Sequence, residues 1–107
     1  MNNCPDQDRP PIFIEVDGGL AELIPGFLAN RAKDVSNLRA FVADDNLEAA
    51  SRIAHSMKGS GGGYGFDTIT SLGGKMEHAA RAGDGAKVLA LTDELEDFLA
   101  RVRPVFS

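Results

Sequence analysis

Cysteine is nearly missing from this chain of 107 residues. Cys4 stands alone, so no intrachain disulfide can form, and a disulfide-stapled secreted scaffold is excluded. No apolar run approaches the ~20 residues that a membrane-crossing helix needs. The segment Met1 to Pro11 is polar, contains three prolines and has no apolar signal core. These absences describe a soluble, cytoplasmic protein. Basic charge is also in short supply: 16 acidic residues face 11 basic ones, for a net charge of −5. That balance argues against nucleic acid as the main partner, because phosphate binding wants a basic face. No alternating strand pattern is present. No carboxylate cluster sits at metal-ligand spacing, and His55 and His78 have no third ligand placed near them.

What the chain does have is an ordinary globular composition, 43% hydrophobic and 25% charged. Its length fits one domain with a core that needs no metal or disulfide staple. Residues 1–16 read as an N-terminal tail. Within it, Ile12-Phe13-Ile14-Glu15-Val16 is a short apolar run with no evident partner strand, expected to lie extended across the rest. Asp17 is a candidate cap for a short helix over about 18–24. Apolar residues from Leu20 to Val42 follow a helical spacing interrupted by Pro25. The favoured reading places Pro25 in the first turn of a second helix that runs to about Ala43, rather than at a kink.

Asp44-Asp45-Asn46 ends that helix, and Asp45 with Glu48 resembles a capping box for the next, over about 46–62. A further helix starts at Phe66 or Asp67, with Ile69, Leu72, Met76 and Ala79 or Ala80 on its inner face and Gly83 as its stop. Asp84 caps the last helix, whose buried stripe runs from Val88 to Val102 before Pro104 closes it. The expected fold is all-α: an antiparallel up-down four-helix bundle with a short extra N-terminal helix, spanning residues 17–107.

The stretch from Ala54 to Gly65 carries the chemistry. On a helix, His55 has Ser51, Arg52, Lys58, Gly59 and Gly62 around it, and the opposite face is apolar or small. Five glycines between 59 and 65 weaken a helix end, because each costs roughly 0.5–1 kcal/mol relative to alanine. Gly59 and Gly62 clear ground beside the imidazole, and Gly61 on the inner face would let a neighbouring helix pack tightly. The cluster is no nucleotide loop: neither G-x-G-x-x-G nor G-x-x-x-x-G-K-[ST] occurs, and no strand precedes it. An exposed neutral imidazole with a cation one turn away suits phosphoryl transfer, since the moving group carries negative charge on its oxygens. Lys58 supplies that cation and Arg52 is a candidate to add to it. His78, beside Glu77 and Arg81, reads as a solvated residue.

Ala54-His55-Ser56-Met57-Lys58-Gly59-Ser60 resembles the signature of histidine-containing phosphotransfer (HPt) domains. The resemblance covers roughly residues 17–103, including the acidic stop before the His55 helix and the Ala-Arg-Ala-Gly-Asp linker at 80–84. It implies a four-helix-bundle phosphocarrier of a phosphorelay, with His55 as phosphoacceptor, Lys58 stabilising charge and Gly59 giving access. Ser51, Arg52 and Gly62 are candidate binding residues beside it. The implied partners are a response-regulator receiver domain and a sensor or hybrid histidine kinase. Any Mg²⁺ would come with the receiver, and no cofactor is expected on this chain. The ATP boxes of a kinase are missing, so no autokinase activity is expected and the chain reads as a free-standing, monomeric shuttle. The alternative is a catalytically silent helical adaptor that docks a receiver.

Overall fold

Pro25 decides where the first long helix begins. Proline has no N–H to donate, so it is tolerated in the first turn of a helix, where that donor would be unpaired anyway. Helix α1 (Ile24–Ala43) carries it there, as the split reading expected. The expected short helix over 18–24 is not present as such. A single 3-10 turn, Gly18–Leu20, stands in its place, with the Asp17 carboxylate accepting the Gly19 N–H at 2.9 Å. Two consecutive glycines each cost about 1 kcal/mol in a helix interior, which is enough to stop propagation there.

The computed structural model describes residues 9–107, and Cys4 lies outside the described residues. Among them are four α-helices: α1, α2 (Leu47–Gly61), α3 (Asp67–Arg81) and α4 (Gly85–Arg101). Residues 44–46, 62–66 and 82–84 connect them. The first connection corrects the capping assignment. Asp45 adopts a left-handed conformation, φ 57°, and closes α1. Its N–H donates to Val42 O and the Asn46 N–H to Phe41 O, the paired closure that satisfies the last carbonyls of a helix. A residue used in that way cannot also hold N-cap geometry. Asn46 is the cap instead, accepting the Ala49 N–H at 3.2 Å, and Glu48 turns to Arg52. At Gly83, φ 78°, the same closure ends α3, and Asp84 caps α4 through the Lys87 N–H at 3.0 Å, both as expected.

The apolar stripes meet in one core. Leu38, Met57, Ile69, Met76, Val88 and Leu95 are sealed from solvent, one or two from each helix. At the glycine-rich end, Phe27 stacks on Tyr64 with ring centroids 4.4 Å apart and on Phe66 at 5.6 Å. This aromatic stack pins the turn after α2 against α1 in spite of its glycines. Arg31 lies over the Phe27 ring and donates to Ser60 Oγ at 3.1 Å, a second tie between α1 and α2.

The run Ile12–Val16 does have a partner strand, contrary to expectation. It forms β1, paired in parallel with β2 (Val102–Phe106) in the register Ile12↔Val102 to Val16↔Phe106. Val102 is buried as the α4 stripe required, but from extended backbone, ψ 137°. Pro104 forbids helix beyond α4, and the β-branched and aromatic residues around it favour a pleated chain. The Gly18 N–H closes the pair by donating to Ser107 O at 3.0 Å. Among the described residues, no helix is long and apolar enough to cross a membrane.

Candidate functional site

Two helices approach each other almost backbone to backbone beneath His55. A Cβ added at Gly73 of α3 would lie 2.6 Å from Lys58 N and 2.8 Å from Ala54 O of α2. One added at Gly61 would lie 2.7 Å from Thr70 N and 2.9 Å from Phe66 O. Small residues on α2, Ala50 and Ala54, complete the seam and are fully buried. The tight packing at Gly61 was legible in the sequence, and that at Gly73 was not.

Close approach brings Glu77, one turn beyond Gly73, against His55. The Glu77 side chain is only 7% exposed, yet its carboxylate has three basic partners. Oε2 lies 2.9 Å from His55 Nδ1 and 2.8 Å from an Arg81 guanidinium nitrogen, and Oε1 lies 2.9 Å from Lys58 Nζ. The Lys58 ammonium, followed by the bond to His55 and the charge of Arg81, holds the Glu77 carboxyl below its ordinary range, against the opposing effect of desolvation. An ionised carboxylate only accepts hydrogen bonds. In the neutral ring Nδ1 therefore carries the proton and makes the hydrogen bond to Glu77, and Nε2 keeps its lone pair. The imidazole is 66% exposed on the surface of α2.

The other residues singled out from sequence are distributed around this centre. Lys58 is brought to it, its stem running over Gly74: a Cβ added there would be 3.4 Å from Lys58 Cδ. Gly59 has open space where a side chain would project. Arg52 pairs with Glu48 at 3.4 Å and takes no part in the Glu77 cluster, and Ser51 Oγ donates to Glu48 O. Both line a shallow groove with Arg81 at the start of α2. The Gly62 N–H donates to Thr70 Oγ1 at 2.6 Å, so its contribution is to join α2 to α3. His78 is exposed, as read. Sequence reasoning missed Glu77 and Arg81. The available signal was an acid at a position flanked by the core residues Met76 and Ala80, with an arginine four residues later. Among the described residues, no group of three or more His, Cys, Asp or Glu side chains is placed to hold a metal ion.

A bundle of helices presenting one exposed histidine, bonded to a buried carboxylate that two cations share, defines the class of this domain by its fold and site. The family comparison gives this class its particular membership. Residues 22–104 match the family model of the Hpt domain, and the chain belongs to that family. Membership places it in histidine phosphotransfer of two-component signalling, where Hpt domains work with receiver domains and kinases. Neither curated proteins nor solved structures yield a match to this chain.

Proposed function

We propose that the chain is a phosphocarrier in which His55 accepts a phosphoryl group and exchanges it with the aspartate of receiver domains. The observation that carries this reading is the Glu77–Nδ1 bond on an exposed ring, because it leaves Nε2 as the nucleophile. Nε2 attacks the phosphorus of an aspartyl phosphate in line with the P–O bond to the carboxylate. An N–P bond forms, the P–O bond breaks, and its electron pair leaves with the aspartate. The Nδ1 proton stays in place, and the positive charge that develops on the ring meets Glu77. Onward transfer to a second receiver is the same step reversed. Loading by a phosphohistidine-bearing kinase fits the same site. Any Mg²⁺ travels with the receiver.

Lys58 stabilises charge on the phosphoryl oxygens, and Arg81 is the second cation in the place first given to Arg52. Gly59 leaves room for the partner, whose surface extends over Ser51 and Gly62, while Arg52, turned to Glu48, stands at its edge. The short links between successive helices support an up-down, antiparallel order, and a monomer suffices for the chemistry. Incubation with a phosphorylated receiver should place acid-labile label on the wild-type chain and none on His55→Ala. Label on His55→Ala would refute the acceptor, and docking without label on the wild type would leave the silent adaptor. In the same assay Arg81→Gln should slow transfer roughly tenfold, whereas Arg52→Gln should stay within about twofold, as expected for an exposed charge paired elsewhere. Equal effects would remove the distinction between the two arginines.

A further inference from the structure

One turn along α2 from His55, in the direction away from Arg52, Lys58 borders a groove whose other residues the transfer chemistry leaves unused. It runs between α3 and the start of α4, with Thr70, Ser71 and Gly74 along it and Lys58, Lys75, His78 and Lys87 on its walls. No aspartate or glutamate lines it. On a chain of net charge −5 this is a local inversion of sign. Lys75 and Lys87 form no ion pair among the described residues; Lys33 and Arg103 form none either, but neither lines this groove. Thr70 Oγ1 donates to Lys58 O and accepts the Gly62 N–H, so its side chain is held in place. Lys58 belongs to both places: its stem borders the groove and its ammonium reaches Glu77 beside His55.

We infer that this groove seats a carboxylate-bearing segment of the partner receiver domain and so sets the partner's orientation over His55. The inference rests on the phosphocarrier reading. Carboxylates on the incoming segment supply the counter-charges that Lys75 and Lys87 lack. The uncharged floor of Thr70, Ser71 and Gly74 admits the backbone or a small side chain between them. Opposite charge on two approaching surfaces raises the encounter rate and selects the register, and salt screens the effect.

The test is the double variant Lys75→Glu/Lys87→Glu, with Lys33→Glu/Arg103→Glu as a control of equal charge change on α1 and β2. Transfer from a phosphorylated receiver is measured at low and high salt, and direct labelling of His55 by phosphoramidate is measured alongside. The groove variant should lose about tenfold or more in the second-order transfer rate at low salt. Its remaining rate should fall less with added salt than that of the wild type, and it should take label from phosphoramidate at the wild-type rate. The control should transfer within about twofold of wild type. Unchanged transfer in the groove variant overturns the groove, as does an equal loss in the control. A matching loss with phosphoramidate assigns the lysines to the chemistry instead. Self-association of the wild type that disappears in the groove variant names a second copy as the occupant, and also overturns it. A wild type that takes label from neither donor overturns the phosphocarrier reading itself, a result distinct from all of these.

Discussion

Glu77→Ala should slow phosphoryl transfer to His55 by about 10–100-fold, by analogy with the loss when the hydrogen-bond partner of a metal-bound histidine is removed. Three changes add up. Nδ1 loses its acceptor, so the ring proton redistributes between two nitrogens and part of the population presents a protonated Nε2. The ring loses its only direct anchor among the described side chains. Lys58 and Arg81 lose the carboxylate that draws them together and turn to solvent. Glu77→Gln keeps an acceptor oxygen without the charge and should fall between wild type and alanine. Imidazole ¹⁵N shifts provide the independent check, since they report the tautomer directly. A transfer rate within twofold of wild type, with an unchanged tautomer, would mean that Glu77 does not prepare the nucleophile. The same group makes a signed pH prediction. Its carboxyl is held below the ordinary value of 4.5, so its stabilising contribution is present above that value and is lost as pH falls through the depressed one. Acid unfolding of the wild type should therefore be steeper below pH 4.5 than that of Glu77→Gln.

Gly73→Ala and Gly59→Ala make the same chemical change and should have opposite signs. At Gly73 the new methyl would sit 2.6 Å from Lys58 N and 2.8 Å from Ala54 O, both backbone atoms of a neighbouring helix. Neither can swing aside as a side chain would, so α2 and α3 must separate. Overpacking of this kind costs about 1–3 kcal/mol. The gain in helix propensity, about 0.5–1 kcal/mol, offsets only part of it. For a domain of this size each net kcal/mol lowers Tm by roughly 4–8 °C. At Gly59 nothing lies within 4 Å of the added atom, so the propensity gain stands alone and Tm should rise. Thermal unfolding followed by circular dichroism measures both. A bulkier residue at Gly59 should leave the fold intact and slow transfer, because it occupies the ground that the partner's loops require. An unchanged rate would show that access at Gly59 is not limiting.

Much of this protein is local and therefore legible from residue order. The spacing of apolar residues at 3.6 per turn marks the stripes of α1 to α4, because helix periodicity is written along the chain. Pro25, Gly83 and Asp84 act on their own turns, and their effects follow from backbone geometry alone. His55, Lys58 and Gly59 lie within two helical turns, so their company was visible before any fold was known. Asp45 was misread because two local roles competed for it, and the closing of α1 took precedence over the capping of α2.

What remained hidden joins distant residues. β1 and β2 come from opposite ends of the chain, and neither is convincing as a strand without the other, since a single strand leaves its backbone groups unpaired. Glu77 reaches His55 only because Gly73 and Ala54 let two helices nearly touch, and no pattern along either helix specifies that distance. Residue order alone put the His55 imidazole on a helix with Lys58 and Gly59 beside it. Tertiary packing decided which of its nitrogens faces outward and which arginine stands beside it, because a proton's position on a ring depends on the acceptor that the fold brings within 3 Å.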